Sequence, residues 1–473
     1  MYERYESPFG SRYASKEMQY IFSPDMKFKT WRKLWVSLAR AEYKLGLPVT
    51  AEQVAQLEKF QDEINYDVAR EKEKEIRHDV MSHVYAYGVQ APDAKPIIHL
   101  GATSCYVGDN TDIIVMREGL RLIRRKLLTV ISQLAKFADE YKKLPCLGYT
   151  HLQPAQLTTV GKRACLWLNE LMMDLDELDY RIAHMQMLGS KGTTGTQASF
   201  LELFDGDISK IREMERLIAA DFEFDEVVPV SGQTYSRKVD ASIASTLSAI
   251  AQSAYKFAGD LRVLASYKEM EEPFGKHQVG SSAMPYKRNP MRSERICALA
   301  RYIMVDALNP ALTTSVQFFE RTLDDSANKR IAMAEAFLAT DGMLDLMINV
   351  TDGMVVYPKV IEQRIMREIP FMASENIMMA AVKKGGDRQE LHEKIRLHSM
   401  EAAKQVKEFG RENDLLDRIC NDSSFCLERS EIDEILIPSN FIGCCKQQVE
   451  SFLKEHVHPC LIGFEPVDTN ISV

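Results

Sequence analysis

Between Gly275 and Pro290 the chain gathers hydroxyls, an amine and an amide in one polar stretch. Gly280 removes side-chain bulk and permits unusual backbone angles, and Ser281 and Ser282 supply hydroxyls. Lys287 and Asn289 supply donors for a carboxylate, and successive backbone N–H groups can hold an anion. On residue types alone the stretch also reads as a flexible linker. Histidine as a residue type suits proton donation near neutral pH, which makes His151, followed by Leu152-Gln153-Pro154, a candidate donor, though a loop histidine is more often structural. His78, between Arg77 and Asp79, is either part of a site or one side of a weak helix-surface ion pair.

Charge narrows what such groups would meet. The chain carries a net charge of −9, yet Arg288, Arg292, Arg295, Arg301 and Arg321 crowd between Lys287 and Lys329-Arg330. A local basic cluster on an acidic protein suits a small anionic ligand and argues against a general nucleic-acid binder. The nine cysteines are odd in number, scattered and without CxxC spacing, so neither a disulfide framework nor a zinc knuckle is expected. His456, His458 and Cys460 imitate a ligand set, but their apolar, proline-containing surroundings read as a packed C-terminal segment. The N-terminus is charged from the start, and no apolar run approaches the roughly 18 to 20 residues needed to cross a bilayer. A cytoplasmic protein with no membrane partner is expected.

Long helices must position these groups. Hydrophobic residues make up 45% of the chain, enough for a sizeable core. From Asp112 to Leu144 there is no proline, and Leu120, Ile123, Leu127, Ile131, Leu134 and Ala138 recur at three- and four-residue steps. Asn110 or Thr111 is placed to cap that helix and Pro145 to stop it. Further helices are predicted over 155–188, 237–272, 292–308 and 325–354. Strand-like alternation is rare, so the fold class is all-α: a central long-helix bundle at 104–356, with smaller helical domains at 1–103 and 357–473. At 1.5 Å per residue the longest helix spans about 50 Å. An up-down arrangement then puts the loops around His151 and Ser281 at one end, and those around Thr103 and Gln233 at the other. If all of them serve one site, at least two antiparallel chains must share it.

Residue order in the loop goes further than its composition. Gly280 to Pro290 matches GSSxMPxKxNP at all eight fixed positions, and this pattern resembles the signature of the fumarase/aspartase superfamily. His99-Leu100-Gly101-Ala102-Thr103-Ser104 and Thr150-His151-Leu152-Gln153-Pro154-Ala155-Gln156 look like that superfamily's other two segments. The variable positions Ala283, Tyr286 and Arg288, with Met291-Arg292-Ser293-Glu294, resemble the adenylosuccinate lyase family, particularly its animal form. Arg77-His78-Asp79, Gly192 to Gln197 and Glu320 to Ser326 support the same likeness, which extends along nearly the whole chain.

The resemblance implies a homotetramer with a 20-helix core and active sites built from three chains. It implies β-elimination of fumarate from adenylosuccinate, giving AMP, and from succinylated aminoimidazole carboxamide ribotide, giving the free carboxamide. By similarity Ser281 is the general base and His151 the general acid, with Lys287 and His78 in supporting roles. Arg12, Tyr13, Arg295, Arg321, Ser326 and Arg330 match positions that hold the nucleotide. Thr103, Ser104, Lys287 and Asn289 match those around the succinyl part, with Arg77, Asp79, Thr150 and Gln233 as further substrate contacts. Proton transfers and hydrogen bonds suffice for this chemistry, so no cofactor and no metal is called for. The competing readings are argininosuccinate lyase or another fumarate-releasing relative, a non-catalytic structural member of the fold, and a helical scaffold without a site.

Overall fold

In the computed structural model, which describes residues 3–275 and 278–467, the apolar spacing of the central region becomes five core helices. A smaller helical layer precedes them, including α1 (Pro24–Lys44), α2 (Tyr66–Ile76) and α3 (Asp79–Gln90). The core helices are α4 (Ser104–Glu140), α5 (Val160–Ala183), α6 (Lys238–Ser266), α7 (Met291–Asp306) and α8 (Asp325–Asp352). Shorter helices at Ala198–Leu203, Ile208–Asp221 and Leu308–Ser315 join them. The C-terminal part begins with α9 (Pro358–Met372) and continues through further short helices. The class is all-α.

The stripe on α4 is buried as its spacing requires: Leu120, Ile123, Leu127, Ile131 and Leu134 are inaccessible to solvent. Each such side chain contributes roughly 1.5–3 kcal/mol relative to exposure. Polar chemistry also crosses the core. The Lys126 ammonium on α4 lies 2.5 Å from Asp341 and 2.6 Å from Asp345 on α8. Asp341 also accepts from the Ser15 N–H at 2.6 Å, which seats the Arg12–Tyr13 turn against the middle of α8.

Several boundaries differ from those predicted. Helix α4 begins at Ser104 rather than Asp112, so Asn110 and Thr111 are buried within it rather than capping it. Asp109 and Asn110 look like loop residues, but distant groups satisfy them. Asn110 donates to the carbonyls of Tyr106 and Gly189, and Asp109 accepts from Arg237. The expected helix from Ala155 starts only at Val160, capped by the Thr159 hydroxyl. Residues before it form a hairpin, β1 (Pro145–Thr150) antiparallel to β2 (Gln153–Thr159). Past α6, β3 (Met270–Glu271) pairs with β4 (Val355–Val356) instead of extending the helix.

Helix direction follows from which termini touch. Arg237, just before α6, bonds Asp109 near the start of α4 and Asp325 at the start of α8. The far ends of α6 and α8 meet again through the β3–β4 pair. Helices α4, α6 and α8 therefore run one way, and α5 and α7 return. The charged run Glu71–Glu75 lies exposed on α2, tied by Lys72–Glu75 and Lys74–Glu71 pairs. The segment with His456, His458 and Cys460 is packed, with Val457 buried and Cys460 Sγ 4.0 Å from Met172 Sδ on α5. Among the described residues no helix is long and apolar enough to cross a membrane, and no group of three His, Cys, Asp or Glu side chains could hold a metal.

Candidate active site

A cavity of about 780 Å³ opens at the end of the bundle where α4, α6 and α8 begin. Arg77, His78, Asp79, Ser104, Gln233, Arg321, Ser326 and Arg330 line it, eight of the residues singled out from sequence. Thr103 sits at its edge as the residue preceding α4. Long-range bonds stack the polar loops here. Asn110 grips Gly189, and Gln233 N–H donates to the Glu320 carbonyl at 3.0 Å. Gly195, at φ +82°, passes so close to Ser231 that a Cβ would lie 1.9 Å from its carbonyl oxygen.

Several cavity groups are held by neighbouring partners. Arg77 terminates α2 in a left-handed conformation, φ 52°, and turns the chain into His78. His78 then caps α3: its Nδ1 accepts from the Met81 N–H at 3.3 Å, which leaves Nε2 to carry the proton of the neutral ring. Deeper in, Arg237 Nε lies 2.5 Å from Asp325 and its Nη2 lies 3.2 Å from Asp109. Burial alone would lower the Arg237 pKa, but Tyr235, Asp109 and Asp240 raise it well above the ordinary guanidinium value. Asp325 is held below its usual range, Arg237 and Arg321 outweighing burial. Arg321 spans Asp325 at 2.9 Å and the Thr322 carbonyl at 2.6 Å. Lys329 pairs with Asp112, which with Asp109 keeps its ammonium above the ordinary value against the effect of burial.

Sequence reasoning missed several lining residues, among them Lys27, Trp31, Asp109 and Asp112. Lys27 Nζ lies 4.8 Å from the Trp31 ring and 5.1 Å from that of Phe28, and burial pushes its pKa down despite Asp79. Its only signal in the sequence is a lysine one turn before a tryptophan on an amphipathic helix, a common pattern.

The opposite end carries the hairpin and the signature loop. His151 and Leu152 form the two-residue turn of the β1–β2 hairpin, between the paired Thr150 and Gln153. Both have positive φ, 53° and 57°, as a type I′ hairpin turn requires, although neither is glycine or asparagine. Thr150 and His151 are exposed at this tip. Beyond β3, the signature loop folds back on itself. Gly280 runs beneath the Lys287 carbonyl, where a Cβ would lie 2.1 Å from the oxygen. Asn289 Nδ2 donates to the Gly280 carbonyl at 2.7 Å, closing the loop base. Ser281 Oγ accepts from the backbone N–H groups of Ala283 at 3.3 Å and Met284 at 3.1 Å. Donors aimed at that oxygen favour negative charge on it.

Two arginines of the basic cluster anchor this loop. Arg288 reaches Glu271 at 3.4 Å and lies over the Phe274 ring, and Arg292 donates to the Pro273 carbonyl and to Gln278. Arg295 follows on the first turns of α7, half-buried. Helix α6 separates the two ends. Its 29 residues at 1.5 Å each span roughly 43 Å. One chain therefore brings Thr103 and Ser104 to the cavity while Lys287 and Asn289 stay with His151 and Ser281 at the other end. Arg12 and Tyr13 lie between, with the Tyr13 carbonyl 2.7 Å from where a Cβ on Gly342 would be.

Known proteins match this chain along its length. A family model described as Lyase covers residues 18–305, and one described as Adenylosuccinate lyase C-terminus covers residues 370–452. The chain is 51% identical to adenylosuccinate lyase of Saccharomyces cerevisiae, over 98% of this chain and 97% of that one. It is 50% identical to the Schizosaccharomyces pombe enzyme (100% and 98% covered) and 44% to that of Schistosoma mansoni (100% and 99%). Among solved structures, a fumarate lyase from Mesorhizobium sp. BNC1 superposes with a TM-score of 0.79 at 22% identity, covering 96% of this chain and 100% of that one. A 3-carboxy-cis,cis-muconate lactonizing enzyme from Pseudomonas putida does so with a TM-score of 0.82 at 21% identity, covering 95% and 99%. These likenesses identify the fold as the long-helix bundle of the fumarase/aspartase type.

Proposed function

This chain belongs to the adenylosuccinate lyase family, and from that premise we propose a division of labour for its reaction between the two ends of the bundle. The substrates are adenylosuccinate, cleaved to AMP and fumarate, and succinylated aminoimidazole carboxamide ribotide, cleaved to the carboxamide and fumarate. Ser281 takes a proton from the succinyl carbon beside a carboxylate. The electron pair left on that carbon forms the double bond of fumarate as the C–N bond breaks. His151 gives a proton to the departing nitrogen. A serine hydroxyl is a poor base at its free pKa. The two amides on Ser281 Oγ, with Lys287 in the same loop, favour the alkoxide. His78, its proton fixed on Nε2, orients the substrate. Arg77, Asp79, Arg321, Ser326, Arg330 and Gln233 hold the nucleotide side, with Arg12, Tyr13 and Arg295. Thr103, Ser104, Thr150, Lys287 and Asn289 hold the succinyl carboxylates.

The observation that carries this reading is the separation of the ends. With roughly 43 Å of α6 between cavity and hairpin, a complete site needs one copy's cavity to meet another copy's hairpin and loop. We propose a homotetramer with such shared sites. Large apolar side chains on outer faces support helix-to-helix association: Leu166, Met173 and Tyr180 recur every seven residues on α5, each at least half exposed in the single chain. The three-part division at 103/104 and 356/357 is supported by the starts of α4 at Ser104 and α9 at Pro358.

Ultraviolet absorbance with adenylosuccinate and with argininosuccinate tests the substrate. Turnover is expected with the first and not the second, and no fumarate from adenylosuccinate overturns the reading. Mixing Arg321→Ala chains, assayed at substrate too low for them to turn over well, with inactive Ser281→Ala chains tests the sharing, since each supplies the end that the other lacks. Partial recovery of activity is expected, and none in verified mixed oligomers overturns shared sites.

A further inference from the structure

A turn built from His151 and Leu152, both left-handed, does not hold its own shape well, because β-carbons crowd that conformation by about 1–2 kcal/mol per residue. Something beneath the tip must keep it. Tyr149, two residues before His151, supplies the link. Its phenol donates to Glu269 Oε1 at 3.4 Å and accepts from Arg364 Nη2 at 3.0 Å. Arg364 Nε donates to the same Glu269 oxygen at 2.7 Å, closing a triangle between hairpin, β3 entry and α9. The guanidinium also lies 4.2 Å from the Tyr267 ring, which packs tilted by 37° against Tyr149 with centroids 5.5 Å apart. Glu269 is 1% exposed, and its other oxygen is buried without a hydrogen-bond partner among the described residues, so Arg364 supplies its compensating charge.

The same short segment anchors the signature loop. Glu269 accepts the Tyr357 N–H through its backbone carbonyl at 2.9 Å. Glu271 accepts from the Tyr357 hydroxyl at 2.8 Å and from Arg288 at 3.4 Å, and Glu272 caps the first turn of α7 through Ser293 at 2.8 Å. Alternate acidic residues of one segment thus face the hairpin and the loop.

We propose that Tyr149, Glu269 and Arg364 form a positioning device for His151, through which the C-terminal part sets the direction of the imidazole. The proposal rests on the reading of His151 as general acid. A proton donor displaced by about 1 Å loses much of its rate advantage while binding is untouched. Arg364 suits the task because its fork engages Glu269 and Tyr149 from two different nitrogens, which a single lysine ammonium cannot reproduce in that geometry. A contact that merely stabilised the fold would give a different kinetic pattern.

The test is a double-mutant cycle on the full-length chain. Tyr149→Phe and Arg364→Lys are each expected to lower kcat about tenfold while KM stays within about twofold and the melting temperature and assembly are unchanged. On a His151→Ala background each is expected to change the residual rate by less than about twofold, since there is no imidazole left to position. Should Arg364→Lys disturb folding, Tyr149→Phe, which removes one oxygen and keeps the ring, carries the test. Unchanged kcat for Tyr149→Phe overturns the proposal, as does a loss of the same size on both backgrounds. A His151→Ala chain that keeps the wild-type rate overturns the acid assignment itself, an outcome visible before the cycle is read.

Discussion

At the end of the bundle that holds Arg237, cations and carboxylates are paired and buried before any ligand arrives. At the end that holds His151, that side chain stands exposed on a hairpin tip, and Ser281 lies half-buried in a folded-back loop. The cavity borrows rigidity from three helix starts, so its charges cost little further ordering when a substrate binds. The hairpin and loop gain their rigidity from below, through Tyr149, Arg364 and the β3 carboxylates. The cavity end and the hairpin end are thus stabilised by different means in one chain. Damage to each should read out differently.

The largest effect is expected at the cavity. Arg237→Ala takes the bonded cation from buried Asp109 and leaves buried Asp325 with Arg321 alone, which should cost about 3–5 kcal/mol of stability. Urea denaturation should show the midpoint fall sharply, whereas Ser281→Ala should stay within about 1 kcal/mol of the parent. Equal losses for the two would erase the contrast. Next in size, Arg321→Ala should raise KM about 10- to 100-fold, the worth of a charged hydrogen bond to the substrate, with a smaller change in kcat. His151→Ala should do the reverse, and steady-state kinetics on both decides whether binding and reaction divide between the ends.

The smallest effect concerns acid. His99, which accepts from Trp35 Nε1 at 2.9 Å beside the cavity, has its pKa lowered to about 4, chiefly by burial. A depressed folded-state value means that the unfolded chain binds the proton first as pH falls. Its contribution is therefore intact above about 6.5 and is lost on acidification towards 4, up to about 2 kcal/mol at pH 5. Hydrogen exchange at pH 7 and pH 5 should show protection falling around residues 99–104 more than in the hairpin at 145–159. The opposite ranking would sink the idea that burial makes the cavity end the acid-sensitive one.

How far the sequence reached varies along the same division. The long helices were legible because Leu120 to Ala138 repeat at helical spacing, and the signature loop because its order is specific. The start of α4 was not, because Asp109 and Asn110 are paid for by Arg237 and Gly189, far away in sequence. The hairpin was hidden for a related reason. Ala155 to Thr159 carries no strand alternation of its own and becomes a strand only by pairing with Pro145 to Thr150. Lys27 and Trp31 looked like an ordinary helix face, and only the folded chain puts them beside His78. The placement of Ser281 away from Ser104 did follow from helix length and an up-down arrangement.

The two-residue turn at His151 and Leu152 has one more consequence, for length variation. Exposed loop tips usually accept insertions and deletions cheaply. Here Thr150 pairs with Gln153 across the turn, so one added or lost residue would shift the register and send every following side chain of β2 to the other face. Leu157 would leave the core, and the Thr159 cap of α5 would fall out of phase. Relatives that keep the reaction are therefore expected to hold this tip at constant length, however freely their other surface loops grow or shrink.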